Sequence, residues 1–350
     1  MNKLEDGVIK YEVQFERYKN GRADDVVALL DRADAEIAKF IKKTKCVYTK
    51  ARYREIASKL REISRELKND VAEGTDIDGV IDYELKKQKK LLDSVKGDIV
   101  KVRGGEVNFL YPTREQVKTA ALFRPAADAL TYQSYLDGIE AGLFNTWDSA
   151  VRTGYLTGMP TNQIVSNVMG GIYPETKIRN PGAINALRNS VYGNTRTLLQ
   201  SFAAETRNRV YEENERYFGD GESDYKYEYL ATLDNRTCVI CGSCGGRLYK
   251  KLSDVPSIPQ HRGCRCTVIP FFDIEGDYMA SKDGYVKNIT FDDWLKGQDE
   301  KTQLDVLGRA RYEMYKKGTP INQFVDNGKV LTLKELNESI EKSTPVMKTE

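Results

Sequence analysis

The sequence predicts a mainly α protein with a small α+β module. Three observations predict it: apolar residues recur at three and four over most of the chain, one short tract near residue 225 alternates instead, and the cysteines crowd just behind that tract. The reading gives a helical N-terminal region, a helical middle, a Cys/His-rich zinc module and a helical C-terminal segment. Soft boundaries fall near Pro112 and residue 275, dividing the chain into 1–112, 113–275 and 276–350.

Composition narrows the classes. With 350 residues, 40 % hydrophobic and 30 % charged, the chain has the apolar mass for a real core and belongs to no collagenous, disordered or miniprotein class. A net charge of +2, from 54 basic and 52 acidic residues, excludes a globally basic nucleic-acid coat. No apolar run approaches the roughly 20 residues of a bilayer span. The first residues, Met1 to Asp6, lack the apolar stretch of a signal peptide, so a cytosolic site of action or assembly is expected.

In the N-terminal region, Val27, Leu30, Ala33, Ile37, Phe40 and Ile41 mark one amphipathic helix over 24–43. Tyr53, Ile56, Leu60, Ile63 and Leu67 mark a second over 49–69. The short Cys46-Val47-Tyr48 link pairs them as an antiparallel hairpin. Between Lys39 and Lys68 stand eleven Lys or Arg against three Glu. Lys42, Lys43, Lys45, Lys50, Arg52, Arg54, Lys59 and Arg61 therefore form a candidate surface for double-stranded DNA or an acidic partner, because clustered cations release counterions from DNA. A plain solvated face is the competing reading. A third, Lys-rich helix is expected over 80–95.

In the middle, Thr113 with Gln116 reads as a capping box. Leu136, Ile139, Leu143, Trp147 and Val151 predict a helix over 135–155. Asn180-Pro181 predicts the start of a long helix reaching Tyr217. The alternating tract Tyr225 to Ala231 predicts a strand. Residues 276–285 read as a loop. Thr290 with Asp293 opens a further helix, another is expected over 301–317 up to Gly318, and Thr332 with Glu335 caps a last short one.

The chemistry concentrates in one place. Five of the six cysteines and the single histidine lie between residues 238 and 266, as Cys238-x-x-Cys241-x-x-Cys244 and His261-x-x-Cys264-x-Cys266. Cys-x-x-Cys sets two thiolates on one tight turn, the usual first half of a tetrahedral zinc site. Six donors compete for four places. The favoured set is Cys238, Cys241, His261 and one of Cys264 or Cys266, with Cys244 rated below them. In a strand, Cys264 and Cys266 share a face, and Arg236, Arg262 and Arg265 help keep the thiolates deprotonated. Disulfides suit an oxidising exterior, and metal-free thiols are the third reading. A full Cys/His set leaves no open position, so the expected zinc is structural and no catalytic residue is assigned. One histidine excludes His-rich catalytic metal sites. The order of the motif, with Arg262-Gly263 after His261 and no glutamate, also fails the nucleobase-deaminase signature.

These residues carry a resemblance. Thr232-Leu233-Asp234-Asn235-Arg236-Thr237-Cys238-Val239-Ile240-Cys241 and Pro259-Gln260-His261-Arg262-Gly263-Cys264-Arg265-Cys266-Thr267-Val268-Ile269-Pro270 resemble the paired motif of phage head-morphogenesis proteins, the minor head proteins similar to protein F of phage Mu. Tyr192 to Thr197, Phe291 to Leu295 and Leu307-Gly308-x-x-Arg311 resemble flanking parts of that family. The likeness covers roughly residues 113 to 318; Cys244 is an addition to the usual pattern, and residues 1–110 carry no matching motif. The resemblance implies a non-enzymatic virion component at the head interior or portal vertex, assembled in the host cytoplasm. It implies the portal protein or major capsid protein as partners, and an influence on assembly, on packaged DNA or on its ejection. The rival readings are a zinc-stabilised nucleic-acid-binding protein outside any particle and a metal-dependent nuclease or nucleotide-modifying enzyme.

Overall fold

The structure, a computed structural model, describes residues 3–43, 49–172, 179–219, 225–271, 278–281, 284–287, 290–326, 329–332 and 334–335. It is mainly helical with a small three-stranded sheet.

Three long helices open the chain: α1 (Lys3–Lys43), α2 (Lys50–Gly74) and α3 (Ile77–Arg103). Lys59 of α2 pairs with Glu36 of α1, and Gly74 lies against Val26 and Leu29, so α1 and α2 run antiparallel. The 46–48 link itself lies outside the described residues. Thr49 caps α2 by accepting from the Arg52 amide. The stripe Ile56, Leu60, Ile63, Leu67 and Val71 is fully buried, as its spacing requires. The break before α3 sits at Asp76, which adopts a left-handed conformation and caps α3 through the Gly79 amide.

The middle contains α4 (Arg114–Phe123), α5 (Tyr132–Leu156), α6 (Thr161–Met169), a minimal ribbon of β1 (Gly171–Ile172) with β2 (Arg179–Asn180), and α7 (Asn185–Asn214). Thr113 and Gln116 form the expected capping box of α4. The start of α7 differs from the sequence reading. Asn180 does not cap it; its carboxamide instead bonds the Ser166 carbonyl and the Gly182 amide, closing the preceding turn, and the helix begins four residues after Pro181.

α7 is the axis of the molecule. It packs against α1, α3 and α4, and every residue from Thr197 to Arg207 is buried. One core joins α1, α2, the start of α3, α4, α5, α6 and the first half of α7. A second joins the end of α3 and the second half of α7 to the Cys-rich module.

That module comprises β3 (Tyr227–Leu230), α8 (Val239–Cys244), β4 (Leu248–Tyr249) and β5 (Thr267–Pro270). The strands form an antiparallel sheet in the order β4-β3-β5, with Tyr229 opposite Val268. The strand expected over 225–231 is present as β3, but all four of its residues are buried, so both of its faces are covered and not one alone.

Two corrections apply further on. The 276–285 tract contains an antiparallel hairpin of β6 (Tyr278–Ser281) and β7 (Gly284–Lys287) where a loop was expected. After α9 (Phe291–Lys296), the single helix expected over 301–317 is two, α10 (Glu300–Leu307) and α11 (Arg309–Lys316). Gly308, at φ +71°, breaks it. A final ribbon pairs β8 (Val325–Asp326) with β9 (Lys329–Val330). Thr332 and Glu335 make the reciprocal capping bonds expected of them. Among the described residues no helix is long and apolar enough to cross a membrane.

Candidate metal centre

Cys238 ends the loop after β3 and caps α8, its Sγ accepting from the Cys241 amide at 3.4 Å. A Cys-x-x-Cys turn at a helix start thus aims both sulfurs at one point. His261 arrives there from the loop before β5. Its Nε2 lies 3.2 Å from Cys238 Sγ and 3.2 Å from Cys241 Sγ. Its Nδ1 donates to the Arg262 carbonyl at 2.9 Å, which fixes the ring and leaves Nε2 as the atom that faces the thiols. Cys264 Sγ stands 3.8 Å from Cys241 Sγ.

The donors form two groups that share Cys241: Cys238, Cys241 and His261, and Cys241, Cys264 and Cys266. Within each group all donor atoms lie within 4.8 Å of one another. With metal–thiolate bonds of about 2.3 Å, a tetrahedral edge is about 3.8 Å. The Cys241–Cys264 separation matches that edge, and the sulfur–nitrogen contacts are slightly shorter. The chemistry of the donors and the spacing within each group of three suit a metal ion; among the described residues no four of the donor atoms all lie within 4.8 Å of one another. Cys244 is buried but belongs to neither group, consistent with its lower rank.

Electrostatics points the same way. In the metal-free chain, hydrogen bonding by Cys241, against the cost of burial and aided by His261, draws the Cys238 thiol down to about 4. The Cys238 bond in turn pushes His261 up to about 9. Hydrogen bonds from Cys241 and Cys266 also hold Cys264 well below the usual thiol range. The same shared bonds, with burial, push the Cys241 and Cys266 thiols up, so the cluster keeps protons between its lowered and raised thiols that a bound metal ion would displace.

The sequence reading assigned thiolate stabilisation to three arginines, and the structure gives them other work. Arg265 makes two bonds to Asp234, at 2.5 and 2.6 Å. Despite partial burial, that pairing keeps Asp234 below the usual carboxylate range. Arg262 donates to the Asn189 and Ser190 carbonyls on α7, at 2.8 and 2.6 Å. Arg236 is exposed, 3.9 Å from Asp234. Nor do Cys264 and Cys266 lie in a strand; they converge from the coil before β5.

These bonds account for the motif residue by residue. Asp234 and Arg265 tie the Cys-x-x-Cys half to the His-x-x-Cys-x-Cys half. Thr237 closes the intervening turn on the Thr232 carbonyl. Arg262, the Gly263 amide on Thr197 Oγ1 (3.1 Å), and Gln200 on the Cys266 carbonyl (3.1 Å) dock the second half on α7. Gly193 makes room for this, since a Cβ there would lie 2.3 Å from Arg262 Nε.

Two functional residues escaped sequence reasoning. Tyr229 Oη approaches Cys241 Sγ at 3.7 Å and accepts from Gln260 Nε2 at 2.7 Å. This pair supports the shared thiol from outside the donor set. The position of Gln260 beside His261 and the inward phase of Tyr229 on its strand were the available signals.

The N-terminal cations form no part of this centre. Lys42, Lys43, Lys50, Arg54 and Arg61 are exposed. Arg61 lies over the Phe144 ring at 4.7 Å. Arg52 pairs with Glu55, and Lys59 with Glu62 (2.7 Å) and Glu36 (3.3 Å). Lys45 lies outside the described residues. Glu55 and Glu62 are already among the three acids of that tract; the acids outside it that meet its cations are Glu36, at Lys59, and Asp137 and Glu140, at Lys68.

No family model, curated protein or solved structure matches the chain.

Proposed function

We propose that the chain is a minor head protein of a tailed phage, of the head-morphogenesis class similar to protein F of phage Mu. In this reading it acts in head assembly at the portal or capsid interior. The observation that supports it is the convergence of the residues that carry the resemblance: Cys238, Cys241, His261, Cys264 and Cys266 form two donor groups joined at Cys241, and Asp234, Thr237, Arg262 and Arg265 hold the two halves of the motif together and on α7.

The metal is zinc in this proposal, bound by Cys238, Cys241, His261 and, through its 3.8 Å contact with Cys241, Cys264; Cys266, in the same donor group, is the alternative fourth ligand. Zinc supplies folding energy there. Four Cys/His ligands leave no open position for substrate, so the role of the zinc is structural, in keeping with a non-enzymatic head protein. The exposed Lys42, Lys43, Lys50, Arg54 and Arg61 contact packaged DNA or an acidic face of the portal or major capsid protein.

The test is quantitative mass spectrometry of purified, nuclease-treated particles from the source of the sequence. A few copies of the chain per particle are expected; none would overturn the virion role. DNA contact by the basic face predicts affinity that falls steeply with salt, without cleavage.

A further inference from the structure

The tract from Thr290 to Leu331 has a core of its own, built on Phe291, Leu295, Leu307, Tyr312, Tyr315 and Phe324. Among the described residues only Val239 and Leu233 join that core from elsewhere in the chain. Both belong to the loop and helix that carry Cys238 and Cys241. The seat is shaped for the segment. At Gly242 a Cβ would lie 2.4 Å from Phe291 Cδ1, and at Gly245 one would lie 3.4 Å from Phe291 Cβ. The turn Ile321–Phe324 and both strands of the β8–β9 ribbon pack on α8 as well.

α8 has six residues, too few to hold a helix alone. What fixes it is the other side of the same turn: Cys238 and Cys241 at the cluster, and Asp234 clamped by Arg265. One short helix therefore carries the donors on one side and the docking site for residues 290–331 on the other.

We propose that the metal centre is a latch for the C-terminal segment. With metal bound, α8 holds the form on which residues 290–331 dock. When metal is lost, that segment undocks while the helical body around α5 and α7 stays folded. The proposal rests on reading the cluster as a metal centre. Linkage makes it reciprocal: weakening the docked segment weakens metal binding by the same factor.

The experiment is amide hydrogen exchange on the full chain, metal-loaded and chelated, with metal stoichiometry read by native mass spectrometry on the same samples. Removal of metal is expected to speed exchange in 291–316 by about tenfold or more, with 139–155 and 198–210 unchanged. Phe291→Ala should loosen 291–316 while one metal stays bound at saturating concentration, and should lower metal affinity several-fold. Unchanged exchange in a chelated sample that has lost its metal overturns the latch and leaves the metal centre standing. Exchange that rises equally in 139–155 and 198–210 overturns it as a local device. A chain that neither contains nor takes up metal overturns both readings.

Discussion

Two buried polar clusters flank α7, and they are solved in opposite ways. Beside its second half, Arg207 and Lys87 meet Glu12 and Glu84. Arg207 lies 3.0 Å from each carboxylate, and Lys87 lies 2.9 and 3.5 Å from them. Gln88 adds a bond to Glu84 at 2.7 Å. Two positive and two negative side chains balance, so this cluster is complete in itself. Beside the first half, four thiols and one imidazole stand in two donor groups that share Cys241, with the imidazole itself the positive partner of the Cys238 thiolate. The neighbouring arginines are committed to Asp234 and to α7 carbonyls. The thiols and the imidazole balance charge by sharing protons among themselves, and a bound metal ion would take the place of those protons. The contrast is between a network of fixed charges and a set of donors that could hold a metal ion.

The contrast breaks first at Cys241, the donor both groups share. Cys241→Ser should abolish metal binding and destabilise the β3–β5 module by more than about 4 kcal/mol. Denaturant unfolding together with metal analysis reads both. The ion network should lose comparable stability through a different route. Glu84→Gln leaves Lys87 and Arg207 sharing one carboxylate and should cost about 3–5 kcal/mol. Its metal content should remain that of the parent, and a chelator should destabilise it as much as it does the parent.

Glu228 sharpens the comparison, because it is buried on β3 and belongs to neither cluster. Burial alone pushes its carboxyl up to about 7 from 4.5. The folded form thus favours the proton. The associated stability is complete below about pH 4.5 and is lost as pH rises through about 7. Glu228→Gln should remove that loss, gaining roughly 2–3 kcal/mol over the parent at pH 8 and almost nothing at pH 4. Parallel denaturation series at the two pH values check the sign. The smallest effect is expected from Thr197→Val, which removes the anchor of the Gly263 amide on α7. It should cost about 1 kcal/mol and leave metal stoichiometry unchanged.

The amphipathic helices were legible because one face of each is wet. The stripes on α2 and α5 follow directly from their spacing. The ends of elements were less so. Asn180 has the chemistry of a helix cap, yet its carboxamide serves the turn before α7. Gly308 stands inside a helical pattern and ends it through a positive φ. The buried ion network was invisible because Glu12, Glu84, Lys87 and Arg207 come from three helices far apart in sequence, and each alone looks like surface. The Cys/His cluster was legible because its donors are rare residues at short spacing. What spacing could not choose was the fourth ligand. That choice depends on how the 259–266 loop lies on α7, where Arg262, Thr197 and Gln200 hold it.

The most direct measurement is X-ray absorption at the zinc edge on the purified full chain. The account predicts one zinc with three sulfurs at about 2.3 Å and one nitrogen at about 2.0 Å. A four-sulfur shell would remove His261 from the centre, and an oxygen-rich shell or no bound metal would contradict the account outright.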